Sequence, residues 1–253
     1  IQDKCGWDFP ILIRYSVDEW VPGGRELPES VEVAKRFEQA GVAALDLSQC
    51  LQETPGAGFD PMPYPEGWTV YASEEIKKAV SIPVSVKLSP FYTNTLDVIR
   101  NMDQLNVNGF ILFNRFFEPE IDIEKEEHSF PFNLSREGDY KLSLRFAGLL
   151  YDNINGDICT STGIFNGADV IRMILAGATC VQTVSSIYIN KIDHLKTMLL
   201  EMEKWMDKKG YKSLDDFRGK LARSNLNNPF VYKRAQYVDI LMNPEEIIKQ
   251  YKF

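Results

Sequence analysis

Residues 83–90 read Pro83-Val84-Ser85-Val86-Lys87-Leu88-Ser89-Pro90, an apolar run that carries one cation and closes on a Ser-Pro pair. Runs of the same form occupy Phe9–Ser16, Ala43–Ser48, Gly109–Arg115, Asp157–Gly163 and Thr179–Ser186. Each is short, mostly apolar, and ends in hydroxyls, amides or charges. Helix-like segments separate nearly all of them. Parallel strands buried on both faces read as continuous apolar runs and need crossover helices between them. Polar groups collected at the carboxyl ends of such strands are how α/β barrels and open α/β sheets build active sites. The expected class is therefore α/β, with a TIM-barrel-like (β/α)8 architecture and an enzyme site at one end.

The segments around these runs agree. Pro28 to Ala40 places Val31, Ala34, Phe37 and Ala40 at helical spacing, with Pro28 near the start and Gly41 at the end. Ala72–Val80, Asn94–Leu105, Tyr140–Tyr151 and Ala168–Leu175 read as further helices, the second capped by Thr93 or Asn94. Ala40-Gly41-Val42, Asn106-Val107-Asn108-Gly109 and Ala176-Gly177-Ala178 each close a helix just before an apolar run, a rhythm expected of repeated αβ units. Residues 51–69, rich in Pro and Gly, read as a lid or surface excursion, and IDIEKEEHSF as a small hairpin. His194–Lys208 is a long amphipathic helix, followed by a helical tail. The expected division is a barrel-like domain over 1–210 and a helical extension over 211–253 packed on it. Only six strands are evident where a closed barrel has eight. The barrel is thus expected to be partial or atypical, with strands missed, absent or supplied by a partner chain.

At 253 residues the chain matches one α/β barrel in size. A net charge of −8 disfavours nonspecific nucleic-acid binding, which needs a positive field, while leaving room for a local anion pocket. Cys5, Cys50, Cys159 and Cys180 form no CxxC pair, so no metal or iron–sulfur site is expected. Cys159 and Cys180 read as small core residues. With no apolar run of about 18 residues, a soluble cytoplasmic protein with no membrane partner is expected.

Arg14 and Lys87 lie inside apolar strands, where an unpaired cation costs several kcal/mol. Each is either paired internally, with Asp46 or another carboxylate, or aimed at a bound anion or at charge developing on a cofactor. Asn114 follows Leu112-Phe113 and either caps backbone groups or meets the edge of a heterocycle. Ser161, Thr162 and Gly163 end one strand, and Ser185 and Ser186 the next. Hydroxyls and N–H groups at such turns hold phosphates, and barrels often place a phosphate at their last two strands. Ser48 and Cys50 follow the second strand, the thiol being either a proton-transfer group or a half-buried structural residue. His128 and His194 look incidental, and HExxH, GxSxG, P-loop and GxGxxG motifs are absent.

At these residues a family likeness emerges. From about Ile82 to Leu241 the chain resembles dihydroorotate dehydrogenase-like flavoproteins, through IPVSVKLSPF, GFILFNRFFEPEIDIE, the STG turn, AGATCVQTVSS and NPFVYKRAQYVDIL. The resemblance implies an FMN-containing barrel. In it Lys87 would approach the flavin N1/O2 edge, Asn114 would line the flavin or substrate pocket, and Ser161–Gly163 with Ser185 and Ser186 would hold the phosphate. The first 80 residues, through DFPILIRYSVDEWVPGG and EQAGVAALDLSQ, resemble Old Yellow Enzyme-type ene-reductases instead, where the residue matching Arg14 would contact the flavin pyrimidine. Both imply FMN and a small-molecule substrate. The leading expectation is an FMN-dependent oxidoreductase using Lys87, with Ser48 or Cys50 moving a proton. The rivals are a flavin-free phosphate-binding lyase or isomerase, and a noncatalytic partial barrel in a homo-oligomer or with a partner chain.

Overall fold

The computed structural model describes residues 1–49, 70–115, 120–129, 134–227 and 229–232, together with Met242, Glu245 and Lys249. All six apolar runs form strands: β1 (Leu12–Ser16), β2 (Ala44–Ser48), β3 (Val84–Leu88), β4 (Gly109–Leu112) and, after an antiparallel hairpin β5 (Glu120–Asp122) and β6 (Glu127–Ser129), β7 (Asp157–Thr160) and β8 (Cys180–Val181). They make one parallel sheet in the order β1-β2-β3-β4-β7-β8. Doubly wound sheets reverse their strand order partway. Here the order never reverses, which is the wall of a barrel. Among the described residues β1 and β8 share no ladder, so six strands stand open where eight would close.

The helices are α1 (Gln2–Cys5), α2 (Leu27–Gln39), α3 (Val70–Ala79), α4 (Thr95–Gln104), α5 (Lys141–Leu150), α6 (Gly167–Ala176), α7 (Ser185–Asn190) and α8 (His194–Lys209). Side chains alternate across a strand. One set (Leu45, Leu47, Val84, Val86, Leu88, Phe110, Leu112, Ile158) packs in one core with Ala34 of α2, Ile76 of α3, Ile99 of α4 and Leu150 of α5. A second core joins α6 to α8 through Ile171, Met173, Ile174, Met198, Met202 and Phe217. The opposite set faces inward and carries Arg14, Asp46, Ser85 and Lys87 alongside the apolar Leu12, Ala44 and Ile111.

Local chemistry sets the element ends. Asn94 caps α4 and Asn166 caps α6, each side chain accepting an N–H three residues on. The helix-to-strand rhythm rests on a left-handed residue at Gly41 (φ 84°), Asn106 (φ 64°) and Gly177 (φ 117°). In the middle case the turn is made by Asn106, a side chain that tolerates that region, and Gly109 already belongs to β4. Gly109 serves the sheet: a Cβ there would come within 3.2 Å of Ser85 Cβ on the adjoining strand.

Two elements differ from the sequence reading. Residues 214–221 hold only the short 3-10 turn Leu214–Asp216, because the Ser213–Asp216 capping box and the positive φ of Gly210 and Gly219 close the chain into turns. Ser185 and Ser186, read as the end of the last apolar run, instead open the helix Ser185–Asn190, and the strand itself is only Cys180–Val181. The expected excursion over 51–69 and the end of the tail lie outside the described residues. No described helix is long and apolar enough to cross a membrane.

Candidate functional site

The register of the sheet stacks the inward side chains in layers. Arg14, Asp46, Ser85, Gly109 and Asp157 are successive partners in one layer, and Lys87, Ile111, Cys159 and Cys180 in the next. In the first layer Arg14 Nη1 lies 3.6 Å from Asp46 Oδ2, and Ser85 Oγ donates to Asp46 Oδ1 at 3.2 Å. Burial nonetheless holds the Asp46 carboxyl above its ordinary range, outweighing the pull of Arg14, Ser85 and Lys87. Burial also lowers the pKa of Lys87; repulsion from Arg14 adds to this and attraction to Asp46 opposes it. Among the described residues Lys87 Nζ makes one hydrogen bond, a long one of 3.5 Å, with Gln182 Oε1 just after β8.

Above this layer, at the carboxyl ends of β3, β4, β7 and β8, lies a cavity of about 220 Å3. Lys87, Asn114, Ser161, Thr162, Gly163 and Ser185 all line it, joined by Arg115, Ser135, Gln182, Thr183 and Val184. The hydroxyls divide into two kinds. Ser161 Oγ donates to Phe113 O at 2.8 Å and Thr183 Oγ1 to Ile164 O at 2.8 Å. A hydroxyl has one proton, so these two tie the strand ends together and face the cavity only as acceptors. Ser185 Oγ instead receives both Ser135 N–H (3.0 Å) and Ser135 Oγ–H (2.7 Å), which leaves its own proton for the cavity. The backbone N–H groups of Thr162, Gly163, Thr183 and Val184 have no acceptor among the described residues. Gly163 holds its turn with φ 70°, and a Cβ there would lie 2.7 Å from the Tyr140 backbone nitrogen.

Three expected residues stand apart from this lining. Arg14 faces Asp46 one layer below, which realises the internal pairing left open by the sequence. Ser186 is fully buried and donates to Phe165 O at 3.2 Å. Ser48 lines a smaller cavity of about 90 Å3, with Gln49 and Tyr92, which also borders Lys87. Cys50 lies outside the described residues. The sequence reading missed Gln182 and Ser135. Strict alternation along Cys180-Val181-Gln182 points Gln182 inward with Cys180, so the signal was present. Ser135 meets Ser185 across 50 residues and left no local trace. No group of three or more metal-ligating side chains occurs among the described residues.

A barrel-type parallel α/β sheet with a cation and donor-rich turns at its carboxyl edge defines the class of protein. Within it, the chain belongs to the dihydroorotate dehydrogenase family, whose model matches residues 21–206. It is 28% identical over 183 residues to the catalytic subunit of dihydroorotate dehydrogenase B (NAD(+)) from Methanocaldococcus jannaschii, covering 71% of this chain and 59% of that protein. An NADH oxidase from Thermoanaerobacter brockii is 44% identical over 84 residues, 33% of this chain and 13% of that protein, consistent with an ene-reductase-like part. The ligand-free dihydroorotate dehydrogenase structure from Eimeria tenella superposes with a TM-score of 0.57 at 16% identity, over 78% of this chain and 60% of that one. The chain therefore spans less than two thirds of the length of each of these relatives.

Proposed function

We propose that the chain forms an FMN-binding wall of an oxidoreductase acting on a small organic substrate. The supporting observation is that Lys87 and both hydroxyl-bearing turns border one cavity at the carboxyl edge of the sheet. Family membership supports the same cofactor. The donor set fits a phosphorylated flavin: unclaimed N–H groups at residues 162, 163, 183 and 184 and the Ser185 proton suit phosphate oxygens, which accept hydrogen bonds and donate none at neutral pH. The cavity volume is below the roughly 300 Å3 at which ligand sites usually begin. It would take the phosphate end of the cofactor rather than the whole of it.

When bound, FMN would supply two-electron transfer to or from the substrate. The chain's own residues would prepare the place. Lys87 brings a half-buried positive charge whose one hydrogen bond among the described residues is long, leaving it to meet negative charge developing nearby. Asn114, on the edge of the same cavity, offers both a donor and an acceptor to a heterocycle or substrate. Ser48, bordering Lys87 from the other side, is a group through which a proton would pass, with Cys50 as the alternative. Residues 1–210 would form the FMN domain and 211–253 an extension of it. Cys5, Cys159 and Cys180 are free thiols among the described residues, which supports a reducing, cytoplasmic setting.

The test is the absorption spectrum of gently purified protein, with mass identification of any released chromophore and titration of stripped protein with FMN. Bound FMN, weakened by Lys87→Met while the far-UV circular dichroism is retained, is the expected result. A colourless protein with no FMN quenching at high micromolar concentration would end the proposal.

A further inference from the structure

Cys159 and Cys180 are direct partners across the β7–β8 ladder, on the inward face and in the same layer as Lys87. The first is buried and the second exposed to solvent. Neighbouring strands lie about 4.8 Å apart, inside the roughly 4.4–6.8 Å window of Cα separations that a disulfide spans. β8 is only Cys180 and Val181, and its ladder consists of Cys159↔Cys180 and Thr160↔Val181. Backbone hydrogen bonds from Thr179 N–H to Ile158 O (2.7 Å) and from Gln182 N–H to Thr160 O (2.8 Å) hold the two cysteines in this register. Two residues on, Gln182 supplies the oxygen that meets Lys87 Nζ.

We propose that Cys159 and Cys180 form a reversible dithiol–disulfide site that reacts with small-molecule disulfides and whose closure staples β8 beside Lys87. The two thiols are chemically unequal, as such a site requires. The neighbouring Cys159 thiol lowers the Cys180 pKa, helped by the positive charge of Arg218 and opposed by burial and Asp157. The same contact and burial raise the Cys159 pKa. Cys180 is thus the attacking thiolate and Cys159 the resolving thiol. Cys180 sulfur attacks one sulfur of the small disulfide, whose S–S bond breaks and releases one thiolate. Cys159 sulfur then attacks the Cys180 mixed disulfide and displaces the second thiolate. The protons of the two cysteines end on the two departing thiols. Two protein thiols are oxidised by two electrons and one small disulfide is reduced to two thiols. No flavin takes part, so the inference stands apart from the proposed function.

The experiment exposes the native full chain to oxidised glutathione, quenches with N-ethylmaleimide and maps the peptides by mass spectrometry. A peptide pair linked through residues 159 and 180 is expected, lost on treatment with dithiothreitol and absent in Cys180→Ser. Cys159→Ser should instead retain glutathione on Cys180, because the resolving thiol is gone. N-ethylmaleimide alone, applied briefly to the wild-type protein, should label Cys180 before Cys159, a readout that needs no variant to fold. First labelling at Cys159, or a 159–180 link formed in urea but not in the native chain, would overturn the site.

Discussion

The two faces of the sheet are built from the same strands and differ in almost everything else. The helix-covered face is a run of Leu45, Val84, Val86, Phe110, Leu112 and Ile158, all essentially excluded from water. The inward face carries Arg14, Asp46, Ser85, Lys87, Ile111, Asp157 and the free thiols of Cys159 and Cys180. A closed barrel fills its interior with layers of branched apolar side chains. Here the inward layers are largely polar and only partly covered: Asp46, Ile111 and Cys159 are buried, while Leu12 at the foot of β1 is 66% exposed. The fold is therefore held by the outer face, and the chemistry is free to occupy the inner one.

The most severe break in that contrast is Phe110→Ala. Phe110 is fully buried on the helix side, and its truncation should cost about 3–5 kcal/mol through lost burial and the cavity left behind. Leu12→Ala, on the inward side of the same sheet, should change stability by no more than about 0.5 kcal/mol. Urea unfolding of the two variants measures the difference, and comparable losses would mean that the inner face is packed after all.

The Gly163 turn is the next largest effect and sits where the two faces meet the cavity. Gly163→Ala meets two penalties: the left-handed backbone, and a Cβ 2.7 Å from Tyr140 N. Gly23 has a similar φ of 76° but open space around it. Gly23→Ala should therefore lose only the backbone part, about 1 kcal/mol, and Gly163→Ala about 2–3 kcal/mol. If Gly163 also shapes an FMN phosphate site, its variant should raise the FMN half-saturation point, whereas Gly23→Ala should leave it in place.

The sequence made the outer face legible and the inner one only in part. Continuous apolar runs and the spacing of Val31, Ala34 and Phe37 are local patterns, so the strands, most helices and the sheet class could be read directly. Lys87, Asn114 and the STG turn were legible as polar exceptions in apolar surroundings. The division of labour among hydroxyls was not: that Ser161 is spent on Phe113 O while Ser185 keeps its proton depends on Ser135, which no periodicity links to it. Cys159 and Cys180 read as separate core residues because their pairing is a matter of register between β7 and β8. Gln182 was within reach and overlooked.

Asp46 sharpens the comparison through pH. Its folded pKa is raised above the ordinary 3.8, so between those two values the folded state binds more protons than the unfolded one. Stability then falls as pH rises through that window, the opposite of a carboxylate whose pKa is depressed by its ion pair. Asp46→Asn removes this term while keeping a polar group for Ser85. The wild-type protein should lose stability relative to Asp46→Asn as the pH climbs from below 3.8 through the raised value. Parallel stability curves for the two proteins would show that Arg14 fully compensates the burial of Asp46.

Arg14→Ala should be the mildest change. The guanidinium is 44% exposed and its contact with Asp46 is long at 3.6 Å, and pairs of that kind contribute at most about 1 kcal/mol. Its electrical effect reaches further than its energetic one. Arg14 repels the Lys87 ammonium and attracts the Asp46 carboxylate, so its removal should raise both pKa values. NMR titration of the Lys87 Nζ protons, or the pH dependence of Lys87 acylation, would read the first shift directly. An unchanged Lys87 titration would mean that solvent on the open inner face screens the two cations from one another, and the polar layers would then act as independent groups rather than as one coupled surface.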